Sequence, residues 1–257
     1  MGYIIMIDKK DERIGKEFIN KWQESFIIIN YSNANNIMIE FANGYKKKVT
    51  WQQIQNKQCE TPYSRIIQDI GYHGEGKYNY TEYKNIYYHW EGMLRRCYNK
   101  KYQDRKPTYI GCTVCEEWHN FQNFAQWYEE NYYEVNEEEM HLDKDILVKG
   151  NKIYSPSTCI FVPKRINGLF TNKKLHRGDL PIGITKMNDN RKKPYQASCC
   201  DGYGNRVKMY FTSVHEAFLW YKFNKELVIQ GIANEYKNVI PIELYEAMYR
   251  YEVEVTD

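Results

Sequence analysis

The stretch from Met140 to Asn167, MHLDKDILVKGNKIYSPSTCIFVPKRIN, gathers the side chains most able to do chemistry. It holds one histidine, His141, two carboxylates, Asp143 and Asp145, and the amides Asn151 and Asn167. A neutral imidazole takes a proton from water near neutral pH, and carboxylate or amide oxygens hold hard divalent cations. Together these groups suit one reaction class. Water deprotonated by the histidine attacks a phosphodiester while one cation stabilises the leaving oxygen.

Such groups must be brought together by a small unit, and the surrounding pattern supplies one. His141-Leu142 opens a strand, Lys149-Gly150-Asn151 bends the chain, and Thr158-Cys-Ile-Phe-Val162 is rich in β-formers. Pro163 fits the first turn of a helix running towards Phe170. Ahead of it, two helical stripes are predicted, one through Tyr87, Trp90, Met93, Leu94 and Cys97, the other through Trp118, Phe121, Phe124, Ala125 and Tyr128. Both read as core. Residues 37–41 and 45–51 alternate on either side of Asn43-Gly44, which predicts a hairpin. The segment Gly71-Tyr-His-Gly-Glu-Gly76 reads as a linker or exposed loop; no Lys-Ser/Thr follows it, so it is not a phosphate loop.

The run from His141 to Asn167 resembles the HNH endonucleases of bacteriophages, in particular those with an asparagine in the last position. His141-Leu142-Asp143, Gly150-Asn151, Thr158-Cys-Ile-Phe-Val162 and Asn167 stand where that family carries a His-Ile-Asp core, a Gly-Asn loop, an Asn-Leu-x-Trp-Val strand and a helix asparagine. The resemblance implies a ββα fold and one divalent cation, Mg²⁺ or Mn²⁺. It implies His141 as general base, Asn151 as the residue that orients its ring, and Asn167 as a metal ligand. The departure is Met140, where the family has a metal-binding side chain; a thioether is a poor ligand for a hard cation. Asp143, two residues from His141 on one strand face, is the expected substitute, ahead of Asp145. Two outcomes stay open: an active nuclease, or a ββα element kept only for the fold.

Further on, residues 182–187, 195–200 and 206–211 predict three short strands turned by Asn-Asp-Asn-Arg and Asp-Gly-Tyr-Gly. A helix follows, with Ala217, Phe218, Tyr221 and Leu227 on its inner side, and the tail 241–257 reads as amphipathic and acidic. Pro181-Ile-Gly-Ile184, Tyr195-Gln-Ala-Ser198 and Tyr210-Phe-Thr-Ser-Val-His-Glu-Ala217 resemble the AP2 domain found beside HNH units in phage proteins. That resemblance implies a sheet face lying in the major groove of double-stranded DNA with the helix behind it. Alternation then turns Ile184 to the helix and Thr185, Met187, Gln196, Ser198, Cys200, Arg206 and Lys208 to DNA. Lys186, Arg191, Lys192 and Lys193 flank that surface and suit phosphates, while Arg206 is the candidate base reader. The family's Arg-rich first strand and Trp-Leu-Gly third strand are missing, so no base preference carries over.

Charge supports a polyanion partner at the same end. Residues 171–210 hold nine Lys or Arg against three Asp, whereas residues 113–140 hold eight Glu and no Lys or Arg. The acidic stretch could instead bind a host protein, and Lys46, Lys47 and Lys48 of the hairpin could touch DNA backbone or belong to a protein-binding module. No apolar run is long enough to span a bilayer, so no membrane partner is expected. The opening MGYIIMIDKKDERIG lacks a basic n-region and a small-residue cleavage site, and Met6 stands where a myristoylation signal wants Ser or Thr. A cytosolic protein, in the host cytoplasm, is expected. Cys112-Thr-Val-Cys115 looks like half a zinc site, but no second pair stands at finger spacing, so the seven cysteines read as free thiols rather than zinc ligands.

These readings converge on an α+β protein of three units: a β-rich module over 1–80, a helical plus HNH-like ββα unit over 81–172, and an AP2-like unit with a helical tail over 173–257. The favoured function is a DNA endonuclease of the homing kind using one divalent metal. The alternatives are a non-catalytic DNA-binding regulator retaining the HNH fold, and a phage accessory protein that binds a host protein.

Overall fold

The computed structural model describes residues 11–170 and 178–257. Helices and antiparallel strands give a mixed α and β protein. Its contacts divide into two compact units, Met1–Glu129 and Glu130–Asp257. The sequence reading sets boundaries near 80 and 172. The observed division instead groups the β-rich and helical segments, and joins the ββα segment to the C-terminal sheet.

The first unit opens on a four-stranded antiparallel meander, β1 (Glu17–Ile19), β2 (Ser25–Asn33), β3 (Asn36–Phe41) and β4 (Lys46–Val49). Its inner face follows the two-residue period: Phe26, Ile28, Ile37, Ile39, Phe41 and Val49 are buried in one cluster, while Ile27 and Met38 between them are exposed. The predicted hairpin forms with Gly44 at φ +84° and the Asn43 side chain accepting the Tyr45 N–H at 3.0 Å. Its return strand is shorter than predicted, because Thr50 and Gln53 form a capping box that starts α1 (Trp51–Gln55).

Three further helices follow, α2 (Lys84–Tyr98), α3 (Lys100–Arg105) and, after the two-residue β5 (Thr113–Val114), α4 (Phe121–Asn131). Both predicted stripes are core: Trp90, Met93 and Leu94 on α2, and Phe121, Phe124 and Ala125 on α4, are fully buried. The Trp90 indole donates to the Trp118 carbonyl at 2.7 Å, so its polar edge is satisfied inside that core. The glycine-rich segment is not an open linker. A Cβ on Gly71 would lie 2.4 Å from Leu94 Cδ1 and 2.8 Å from Trp90 Cζ2, so only glycine lets this backbone lie on α2. The Gln122 amide then donates to the carbonyls of His73 and Tyr78 at 3.0 and 2.9 Å, which fastens the segment to α4.

The second unit begins with β6 (Met140–Asp143), the two-residue β7 (Ile153–Tyr154), β8 (Ile160–Pro163) and α5 (Lys164–Phe170). Pro163 ends the strand, opposite Met140, and the helix starts one residue later. Then come β9 (Ile184–Lys186), β10 (Tyr195–Cys200) and β11 (Arg206–Phe211), a sheet of order β11-β10-β9. The 23-residue α6 (Val214–Tyr236) packs on this sheet, and α7 (Ile242–Tyr249) follows. Ala217, Phe218 and Tyr221 are buried as predicted, but Leu227 is half exposed. It lies six residues past Tyr221, out of phase with a 3.6-residue repeat; Ile229, Ile232, Ala233 and Tyr236 continue the buried side instead. Among the described residues no helix is long and apolar enough to cross a membrane.

Candidate functional site

On β6 the side chains alternate, with Met140 and Leu142 buried and His141 and Asp143 half-buried on the opposite face. β8 pairs antiparallel with β6, setting His141 opposite Val162. It is anchored by Tyr133, whose hydroxyl donates to the Phe161 carbonyl at 2.7 Å. Ile166 and Leu169 bury one side of α5, and Asn167, between them, reaches the strand. Its amide Nδ2 lies 2.8 Å from His141 Nδ1. An amide nitrogen can only donate, so Nδ1 is the acceptor and the neutral ring carries its proton on Nε2. That nitrogen faces Glu139 Oε1 at 3.2 Å.

Glu139 is a polar neighbour of His141 that the motif-based reading missed. The signal was present: Glu139, His141 and Asp143 stand at the two-residue spacing of one strand face. The Lys164 ammonium, 2.5 Å from its other oxygen, and His141 after it hold the Glu139 carboxyl below its ordinary range. Asp143 lies on the predicted face but accepts the backbone N–H groups of Asp145 and Ile146 at 2.9 and 2.8 Å. Burial, reinforced by Asp145, pushes its carboxyl up to about 6. Asn151 is not the residue that orients the His141 ring. Its amide donates to the carbonyls of Lys144 and Ile153 at 2.6 and 2.7 Å and so closes the loop. Asn167 orients the ring in its place.

These residues do not converge on a cation. Met140 is buried and apolar, the Asn167 amide is turned to the imidazole, Glu139 is bound to Lys164, and Asp143 caps the loop. Among the described residues no three His, Cys, Asp or Glu side chains are grouped to hold a metal ion. The donor set for Mg²⁺ or Mn²⁺ is therefore not assembled as the side chains stand. The seven cysteines are thiols outside any disulfide, and His119 is turned to the Val114 carbonyl at 3.2 Å.

The second candidate surface is the sheet face away from α6. Ile184, Ala197 and Cys199 are buried against the helix. The register aligns Thr185 with Gln196 and Tyr210, Ser198 with Lys208, and Cys200 with Arg206, so these share the opposite face. The three strands carry Lys186, Arg206 and Lys208 and no carboxylate. Arg206 and Lys208 are exposed. Lys186 has the parity of Ile184 and so leaves the strand on the helix side, where it too is exposed. In the β9–β10 turn Lys192 and Lys193 are exposed, while Arg191 pairs with Asp189 at 2.5 Å and covers the Tyr210 ring at 5.0 Å. Tyr210, absent from the sequence-derived candidates, also accepts from the Gln196 amide at 2.7 Å, so it organises the middle of the face.

No protein-family model, curated protein or solved structure matches this chain. A functional reading therefore stands on its residues and their geometry alone.

Proposed function

We propose that the chain binds double-stranded DNA through the face of β9, β10 and β11, in the manner of an AP2-like unit. The observation that carries this reading is the shared register of Thr185, Gln196, Ser198, Arg206, Lys208 and Tyr210 on one sheet face whose strands hold cations and no carboxylate. A twisted ribbon of this width fits a major groove, with hydroxyls and amides towards base edges and lysines towards phosphates. Lys192 and Lys193 extend the positive surface at the turn. Selection of bound duplexes from a random pool tests it. Enriched duplexes that lose their advantage with Gln196→Ala support base reading by the amide on this face; a pool that never enriches opposes site preference.

A second reading, that the ββα unit cleaves phosphodiesters as HNH endonucleases do, is favoured by the His141–Asn167 contact. Two residues 26 apart meet at 2.8 Å across strand and helix. In the arrangement present the Nδ1 lone pair is taken by the Asn167 amide and Nε2 carries the proton, so His141 accepts a proton from water at Nε2 only after Asn167 turns its amide oxygen to Nδ1–H and the exposed Glu139 side chain swings off Nε2. The Glu139 side chain is exposed, so water weakens its hold on Nε2, and DNA or a cation could displace the contact. The test is plasmid nicking with Mg²⁺ or Mn²⁺. Nicking that falls at least about 100-fold in His141→Ala supports a nuclease. Binding without nicking in either metal leaves the DNA-binding reading alone.

A further inference from the structure

The buried side of α6 repeats every four residues through Ala217, Tyr221, Lys225, Ile229 and Ala233. Four of these five positions are buried apolar or aromatic residues, and the fifth is a half-buried lysine. A long cationic side chain in an apolar stripe ordinarily pairs with a carboxylate or reaches out to water. Among the described residues Lys225 has no hydrogen-bond acceptor and no carboxylate within ion-pair distance. Carboxylates in the adjoining cavity are held by other lysines: Asp257 and Glu254 lie 2.9 and 3.7 Å from Lys149, and Asp145 lies 3.0 Å from Lys144.

Lys225 instead lines a cavity of about 460 Å³ at the edge of the sheet, shared with Ser198, Cys200 and Arg206. The cavity exists because β9 covers only part of β10. Its pairing ends at Ile184 opposite Ala197, and beyond that point Gly183 makes the last backbone contact, to the Ser198 N–H at 2.9 Å. Gly183 has φ +77° and lies directly over the Tyr221 ring, so position 183 itself sends no side chain into the space. Burial holds the Lys225 amine below its ordinary range, and the nearby Arg206 guanidinium lowers it further while Cys199 and Cys200 act against this. Lys225 comes to this open edge from the helix side, and Arg206 and Ser198 come from the opposite sheet face; two cations lining one cavity repel each other until an anion comes between them.

We propose that Lys225, Arg206 and Ser198 form a phosphate-binding site at the open edge of β10. The proposal rests on the DNA-binding reading for one source of that phosphate, the backbone of a duplex lying on the sheet face that Ser198 and Arg206 share. A free phosphate is the other source. The site would fix the duplex at one end of the sheet, where a backbone contact sets the register of base contacts made further along.

The test uses the full chain, with Lys225→Met as the variant, because an unbranched apolar side chain suits the stripe, and Lys225→Arg as the charge-keeping control. One arm measures the thermal midpoint with and without inorganic phosphate at matched ionic strength. The other measures duplex affinity across a salt series. A duplex phosphate predicts severalfold weaker binding for Lys225→Met and a log–log salt slope smaller by about 0.9, with Lys225→Arg close to wild type. A free phosphate predicts a raised midpoint in wild type, absent in Lys225→Met, with duplex binding unchanged by the substitution. If wild type binds no duplex yet shows that Lys225-dependent rise, the site stands and the DNA reading fails. If neither the midpoint response nor the salt slope depends on Lys225, the site is overturned, whether or not the chain binds DNA.

Discussion

His141 is held from both sides, by the Asn167 amide on Nδ1 and Glu139 on Nε2. That arrangement fixes a tautomer, and the tautomer is measurable. Long-range ¹H–¹⁵N spectra should find the neutral ring protonated on Nε2, and Asn167→Ala should weaken that preference, leaving Glu139 alone to hold it; a ring protonated on Nδ1 in wild type would contradict the contact. Two other histidines, His73 and His119, are held below their ordinary range by burial. Each has a buried ring nitrogen without a hydrogen-bond partner. A histidine with a lowered folded-state pKa leaves the unfolded chain binding more protons, so stability is full above about pH 6.5 and falls as pH drops below it. Urea midpoints between about pH 7 and 5.5 should therefore decline. His73→Phe, which keeps the stacking on Tyr80 at 4.2 Å, should flatten that decline, and an equal slope in the variant would exclude His73 as a source. Sequence could suggest His141 and Asn167 as partners because their spacing spans one ββα unit. It could not reveal what Asn151 does, because an amide that closes a loop and one that orients a ring look the same in a motif.

Among the elements, legibility followed periodicity. β10 and β11 occupy the residues that alternation between two turn sequences predicts, and the stripes of α2 and α4 are the core of the first unit. What failed depended on contacts from elsewhere in the chain. The segment from Gly71 to Gly76 has loop composition, yet its glycines are there for close approach to α2 and α4. The inner side of α6 was mis-phased at Leu227 because the true stripe passes through a lysine, which a hydropathy pattern rejects. β9 is shorter than predicted for a related reason: Gly183, at φ +77° with the Tyr221 ring beneath it, departs from strand geometry before Ile184. Gly183→Ala combines an unfavourable backbone conformation with a methyl group 2.2 Å from ring carbons. It should destabilise the chain by about 2–4 kcal/mol, read as a lower urea midpoint with little change in slope. An unchanged midpoint would mean that Tyr221 is free to move aside. On α5, Arg165 donates to the Gly202 carbonyl at 3.1 Å, pairs with Glu235 at 2.9 Å and covers the Tyr203 ring at 4.2 Å. This joins the ββα element to the β10–β11 turn and explains why 130–257 is one compact unit where sequence suggested a break.

For the molecule as a whole, the net charge of +3 hides its distribution, with basic residues gathered in 171–210 and acidic ones in 113–140. Residues 171–177 lie outside the described residues; in the rest of the basic stretch Arg206 and Lys208 lie on one sheet face and Lys192 and Lys193 on the adjoining turn. Binding driven by such a surface releases counterions from DNA, so affinity should fall steeply with salt, and each lysine or arginine that meets a phosphate should account for about 0.9 of the log–log slope. The decisive measurement is a salt titration of duplex binding by the full chain and by an Arg206→Ala/Lys208→Ala variant of the same stability. The account predicts that wild type binds duplex with a negative slope, and that the variant binds at least about tenfold more weakly with a slope reduced by about 0.9–1.8. Equal affinity and slope for the two proteins, or no duplex binding by wild type at low salt, would contradict it.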